Sequence, residues 1–592
     1  MSDRRRFLKN AALAGAGLAL APAALGGPTI LTPRRTRLRT AAGTLRFVPH
    51  FVQEGRGPYL LDWAYASDTN WDAFRSNIAA SAATGVAISD AAGQERFGID
   101  VKWFVEGFGN LFMTADNGGE FYALPPDGQT RELNLNHELA KSRVMRNRRR
   151  LAQHVSDGYT PSREVQGHLD MSEGYFEDAQ KVQSDEERRG TLAQTALLYA
   201  LRGGEMLELD RAERLIEQRI ARRGPRDDFF FGCDARAFYQ MRTPELFMDL
   251  FTDVFDFAAL TYVWTHDGVI GDFERTEGDY NFEFRDAIVN RMRANDVTVW
   301  GRPILWFHHW VTPEWIEAKS FGELKRYTEK HVRTMVSHYG DEIWAWEIVN
   351  EFHDWANEVQ LDPDQILELT KFACDVVADV NPNVGRLVNN CCPYAEYVQL
   401  GQWSGWPNQS AQYPQRTPWQ FTRDLVDAGV DFTHIGQQMY FPERDLQDSI
   451  LLVERFEEFG KPVHLSEVGC PGGPTERSVK LETVPIPDES YAWHRPWDED
   501  TQADWLEGIY TLAFSKPWIE GAHWFDFVDP HFYIPSGGLL KSPEGEPKEA
   551  YRRLQALQRR WQSGPAKDST PPDIGGAGVG VGSTGGSACD SC

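Results

Sequence analysis

The sequence predicts an α/β chain: a closed ring of eight alternating strands and helices, preceded by a strand-rich module with a helical extension. Three observations point there. From residue 226 to 562, short apolar runs rich in Val, Ile, Trp and Phe alternate with amphipathic stretches, as expected of parallel strands joined by crossover helices. Two of those runs, one ending at Glu351 and one at Glu467, stop abruptly on a carboxylate. Residues 44–135 instead cluster apolar residues between Gly, Asn and Asp turns, which reads as a β-sandwich. The expected fold class is therefore a (β/α)8 TIM barrel preceded by a jelly-roll-like β-sandwich accessory domain with a helical extension. A barrel needs about 250 residues, and 592 leave room for such a companion.

In chain order, Arg4, Arg5, Arg6, Phe7, Leu8 and Lys9 followed by a Gly/Ala-rich apolar segment match a twin-arginine export signal over residues 1–26. That segment is too short and too weakly apolar for a spanning helix, so no stable membrane insertion and an extracytoplasmic protein are expected. The accessory domain is expected over 40–225, with strands such as "GVAIS" and "GGEFYALP". After it come a basic cluster, "KSRVMRNRRR", and helical periodicity from Arg163 to Arg223. The barrel is expected over 226–562. Its first strand is placed at Phe229 to Cys233, the second in "DVFDFAALTYVW" and the third in "TVWGRPILWFHH". A helix before the third strand puts Phe284, Ile288 and Met292 on one face. The fourth strand carries Glu351; "GRLVNNC", "FTHIGQQMY", "PVHLSE" and "GAHWFDFVD" supply the remaining four, with helices such as Pro363 to Val380 and Leu446 to Phe459 between them. Residues 563–592 dissolve into Gly, Ser and Pro and read as a disordered tail. The tail ends in Cys589 and Cys592, read as a small disulfide loop or an incidental pair.

The chemistry concentrates in "HYGDEIWAWEIVNEFHDW" and "KPVHLSEVGCPG". In an alternating barrel the carboxyl ends of the strands form the reactive face, so carboxylates at the ends of two distant strands can meet across one cleft. Paired carboxylates of this kind serve glycosidic bond cleavage: one protonates the departing oxygen, and the other attacks the sugar carbon or activates a water.

"HVRTMVSHYGDEIWAWEIVNEF", with the later "HLSE", resembles family 10 of the glycoside hydrolases, the retaining endo-xylanases, with their W-D-V-V-N-E and T-E-L-D strands. The resemblance spans roughly Phe229 to Leu557. It implies Glu351 as acid/base, Glu467 as nucleophile and Asn350 as the residue that bonds the sugar 2-hydroxyl. It also implies sugar contacts from Gln438, Tyr440, His308 and Trp524, with Trp306 a further candidate platform at a strand end. Several positions depart from the family. "TYVWT", Thr261 to Thr265, replaces E-N-x-M-K; Arg302 replaces the first His of G-H-T-L-V-W-H; and "QQMY" replaces Q-S-H, leaving Tyr440 where a His partner of the nucleophile is expected. Arg302 is expected to neutralise a carboxylate near Glu351.

A net charge of −26 disfavours nucleic acid as a partner, because phosphate would be repelled. A neutral polysaccharide is the expected partner; the oligomeric state is not legible. Cofactors and metals are implied by no motif: "HELAKS" sets Lys141 where a second zinc-binding His would stand, and no G-x-S-x-G occurs. The expected function is a secreted retaining endo-β-glycosidase acting on β-1,4-xylan or a related polysaccharide. The alternative is a catalytically silent or slow barrel that binds glycans.

Overall fold

The structure is a computed structural model and describes residues 43–50, 64–81, 84–353, 356–401, 411–440, 442–473, 492–530, 534 and 536–563. The leader-like segment 1–26 and the tail with Cys589 and Cys592 lie outside them.

Eight parallel strands close into a barrel in chain order: β1 Phe230–Asp234, β2 Phe257–Thr261, β3 Thr298–Arg302, β4 Ala345–Asn350, β5 Gly385–Asn390, β6 His434–Tyr440, β7 Val463–Gly469 and β8 Ile519–Trp524. β8 pairs back onto β1 with Gly521 opposite Phe230 and Trp524 opposite Cys233. β4, β5 and β7 are buried along their whole length, as strands covered on both faces must be. The outer helices start on local signals. Asp362 and Gln365 form a capping box ahead of Pro363–Val380, with Pro363 in the first turn where its missing N–H costs nothing. Thr417 and Gln420 repeat the device at Pro418–Asp427.

Four expectations shift in detail. β1 runs one residue later than expected and so delivers Asp234 at its carboxyl end. β3 stops at Arg302 because Pro303 has no N–H to give the ladder, yet Leu305 still bridges Val349 and carries Trp306 to the mouth of β4. The segment expected as one helix from Leu446 to Phe459 is helical to Glu454 and tightens to a 3₁₀ turn over Arg455–Phe459, ending at Gly460 with φ +61°. In the helix Glu283–Arg293 the buried face is Arg285, Ile288, Val289 and Met292, whereas Phe284 is 43% exposed. Strict four-residue spacing drifts about 40° per step around a helix, so 284 leaves the face that 288 and 292 share.

Ahead of the barrel lie a four-stranded sheet, ordered Asn77–Ser81, Gly85–Asp90, Thr44–Val48 and Thr130–Asn134, and a five-stranded sheet. The latter runs Ala492–Trp493, Gly109–Ala115, Gly98–Val105, Ala64–Ser67 and Ala73–Phe74, so one of its strands comes from the segment between β7 and β8. Helices Leu135–Ser156, Arg163–Lys181 and Glu186–Arg223 follow. The basic cluster lies on the first of these, and its Arg143, Arg146 and Arg150 are turned inward. Arg143 pairs with Asp445 and, at 2.7 Å, with Asp448; Arg146 reaches Asp448 at 2.5 Å; Arg150 reaches Glu208 at 2.7 Å and Glu454 at 3.0 Å. One continuous apolar core runs from Leu45 through the barrel to Trp561. Among the described residues no helix is long and apolar enough to cross a membrane, and Cys233, Cys374, Cys391, Cys392 and Cys470 are buried free thiols.

Candidate active site

Glu351 follows the last residue of β4 with φ +61°, a left-handed backbone that costs a non-glycine residue about 1–3 kcal/mol. Its neighbours hold it there: Glu351 N–H donates to the Asn389 carbonyl at 2.9 Å and Ala356 N–H donates to the Glu351 carbonyl at 3.1 Å. The turn swings the carboxyl off the strand line into the mouth of the barrel, where Trp306 Nε1 donates to Oε2 at 3.0 Å and Gln438 Nε2 to Oε1 at 3.2 Å. Glu467 sits in β7 with its Cα opposite Gln438 of β6. Its Oε1 accepts from Arg302 at 2.6 Å and from Asn389 Nδ2 at 3.4 Å.

A chain of amides joins the two carboxylates. Asn350 Oδ1 accepts from Gln438 Nε2 at 3.2 Å and from Asn389 Nδ2 at 3.1 Å, so Gln438 touches Glu351 on one side and Asn389 touches Glu467 on the other. Ser466 Oγ donates to Asn389 Oδ1 at 2.5 Å, which fixes that amide's orientation. Each glutamate is 5% exposed. Burial first, and the neighbouring Glu467 charge second, push the Glu351 carboxyl up to about 7, above what Gln438 and Trp306 can offset. Burial raises Glu467 as well, while the Arg302 guanidinium opposes the rise. Arg302 also reaches Asp234 at 3.3 Å. Burial would raise Asp234, but Arg236 and Arg302 outweigh it and hold that carboxyl below its ordinary range.

The other expected residues divide. Asn350 and Gln438 lie between the glutamates. The Tyr440 hydroxyl donates to Gln438 Oε1 at 2.6 Å, so it steers the amide that contacts Glu351. Trp306 is half-buried and binds Glu351 through its indole N–H. The His308 ring lies beside Trp306 with centroids 5.0 Å apart and the planes tilted by 39°, and burial lowers its pKa well below the ordinary imidazole value. Trp524 departs from the expectation of an open platform: it is 1% exposed, its Nε1 donates to the Gly537 carbonyl at 3.0 Å, and its ring lies edge-on to Trp505. Arg302 does neutralise a carboxylate beside Glu351, and that carboxylate is Glu467.

Sequence reasoning did not single out Asn389, Asp234, Ser466 or Glu347. Asp234 ends β1 and Asn389 is the last residue but one of β5, and a polar residue closing an apolar run was the available signal. Glu347 lies inside the barrel in β4, its carboxyl raised well above the usual range by burial and by Glu467 against the pull of Arg302. The arrangement supplies one carboxyl kept protonated near neutrality and one held against a guanidinium, which is what an acid paired with a nucleophile or base requires.

The model of glycosyl hydrolase family 10 matches residues 269–366, which include Glu351. Among curated relatives, endo-1,4-beta-xylanase B of Thermotoga neapolitana is 21% identical over 315 residues, 47% of this chain and 74% of that protein. Endo-1,4-beta-xylanase B of Paenibacillus barcinonensis is 25% identical over 202 residues, 32% of this chain; the match spans 56% of that relative's length. Among solved structures, native xylanase 10B from Thermotoga maritima aligns over 59% of this chain and 99% of its own, at 16% identity and a TM-score of 0.43. With a closed parallel barrel, one glutamate just after β4, another in β7 and a family model spanning the first of them, the chain is a glycoside hydrolase that resembles glycosyl hydrolase family 10 over residues 269–366.

Proposed function

We propose that this glycoside hydrolase is a retaining endo-β-glycosidase that cleaves β-1,4-xylan or a related polysaccharide by double displacement. The observation that carries the reading is the raised Glu351 carboxyl beside a Glu467 engaged by Arg302. Glu467 attacks the anomeric carbon while Glu351 gives its proton to the departing glycosidic oxygen, forming a glycosyl ester and a free sugar end. Esterification removes the Glu467 charge, so Glu351, having given up its proton, stays ionised and takes a proton from water as that water attacks the same carbon. The second attack frees Glu467 and returns the proton to Glu351. Asn350 is assigned to the sugar 2-hydroxyl, Gln438 and Tyr440 to orienting Glu351 and the sugar beside it, and Trp306 with His308 to one wall of the trough. Trp524 acts in this reading as a packing support beneath the site. The relatives named above support xylan as the first substrate to try.

The reading extends to the rest of the chain. Residues 1–26 serve as a twin-arginine-type leader that directs the protein out of the cytoplasm, supported by the Arg4 to Lys9 pattern. The two N-terminal sheets with their helices form an accessory sandwich that braces the barrel, supported by the inward-facing arginines. The test is reducing-sugar release from a panel of xylans, mixed-linkage glucan and other β-glycans by wild type, Glu351→Gln and Glu467→Gln. Release by wild type and its loss in both variants support the proposal. Equal glycan binding by all three with no release would establish the silent binding barrel instead.

A further inference from the structure

At the end of the barrel opposite the glutamates, three strands begin with donor side chains that converge. His434 opens β6, His464 is the second residue of β7 and Glu520 the second of β8. The donor atoms His434 Nε2, His464 Nε2 and a Glu520 carboxylate oxygen all lie within 4.8 Å of one another. Glu520 Oε2 is 3.8 Å from the first nitrogen and 4.0 Å from the second.

The hydrogen bonds behind the rings decide which nitrogens are free. Arg386 N–H donates to Thr433 Oγ1 at 2.7 Å, and Thr433 spends its own proton on the Arg386 carbonyl at 3.0 Å. Its oxygen therefore accepts from His434 Nδ1 at 2.7 Å, which leaves Nε2 of His434 with a lone pair facing Glu520. His464 Nδ1 meets His523 Nε2 at 2.9 Å, while His464 Nε2 is buried without a hydrogen-bond partner and turned toward Glu520. A buried, unpartnered imidazole nitrogen costs free energy unless something binds it.

We infer that His434, His464 and Glu520 form a structural site for one divalent transition-metal ion of the zinc class, clamping the amino-terminal ends of β6, β7 and β8. Two imidazoles and one carboxylate are a common ligand set for that class, and Thr433 and His523 supply the second hydrogen bonds that fix the rings. Bonds of about 2.0–2.2 Å bring tetrahedral donors to about 3.3–3.5 Å apart, so the three must draw in by up to about 1.5 Å. Glu520, already at 3.8 and 4.0 Å, needs to move by only about 0.5 Å, and its 32% side-chain exposure is also the route of entry, while the wider separation between the two imidazoles closes by rotation of the rings. The nearest cations are already engaged, Arg386 by Asp431 at 3.0 Å and Arg226 by Asp228 at 2.6 Å, while Lys461 is held by the Phe432 carbonyl. No reacting group of the proposed mechanism lies at this end, so the site is independent of that reading.

The test titrates chelator-stripped full-length protein with Zn2+ by calorimetry and with Co2+ by visible absorption. The variants are Glu520→Gln, a surface change that keeps the side-chain shape, and His434→Gln. Each is first shown to melt cooperatively in chelator. Wild type is expected to take up one equivalent, to show Co2+ ligand-field bands without thiolate charge transfer, and to melt at a higher temperature with zinc. Both variants are expected to bind at least about 100-fold more weakly. No uptake by wild type, unchanged affinity in either variant, or thiolate bands pointing to Cys589 and Cys592 would overturn the assignment and leave a packed histidine layer at the barrel floor.

Discussion

Glu351 is governed by two opposing influences, burial with a nearby anion pushing its proton affinity up and two donors, Trp306 and Gln438, holding it down. The balance near 7 sets the pH behaviour of the proposed reaction. The kcat/KM profile should fall on its basic side through about pH 7 as Glu351 loses its proton, and on its acid side above the ordinary glutamate value as Glu467 gains one. Glu351→Gln should cut turnover of an unactivated glycan by about 10²–10⁴-fold. The same substitution should also act on stability. A carboxyl raised from 4.5 to about 7 favours the folded state fully below pH 4.5 and loses that contribution as pH rises through 7. Thermal or urea melts at pH 8 should therefore find Glu351→Gln more stable than wild type, by up to about 3 kcal/mol, and at pH 4 no such gain. At this scale the sequence disclosed the two glutamates and Asn350 because each closes an apolar run. Asn389 escaped notice because its role depends on touching Asn350 and Glu467, contacts between strands far apart in the chain.

Between β3 and β4 the packing explains the glycine that stands at the head of the G-H-T-L-V-W-H resemblance. Gly301 lies against the ring of Trp346, which is fully buried, and a Cβ there would overlap that ring. Gly301→Ala should therefore lower stability by about 1–3 kcal/mol, read as a shift of the denaturation midpoint with unchanged slope. Strand existence was legible throughout the barrel because runs buried on both faces leave an unmistakable apolar signature. Strand ends were less so. Pro303 cuts β3 short of the expected run, and β1 slides one residue to present Asp234, because ladder hydrogen bonding rather than apolar content sets where a strand stops. Phe284 shows the same limit in a helix, where four-residue spacing alone misassigned the face.

Across the whole molecule, buried ion pairs join the N-terminal elements to the barrel. Arg444, just after β6, reaches Asp100 at 2.6 Å and the Tyr65 hydroxyl, both in the five-stranded sheet; Asp72 binds Arg455 at 2.7 Å and Thr417 at 2.6 Å. Removing one partner strands the other without water, so Arg444→Ala should destabilise the protein by about 3–5 kcal/mol and lower the melting temperature of sheets and barrel together, as followed by calorimetry. None of this was legible in advance: the run "KSRVMRNRRR" shows its charge but not the acids it meets, some 300 residues on. The order and parallel closure of the barrel were legible, and so was the end at which its two glutamates meet; the seam between the modules was not. The proposal itself rests on the two glutamates acting in two successive displacements at one carbon. The most direct measurement is proton NMR of the first product released from a β-linked xylan oligosaccharide, recorded before mutarotation. The account predicts the β-anomer, configuration retained; an initial α-anomer would contradict it.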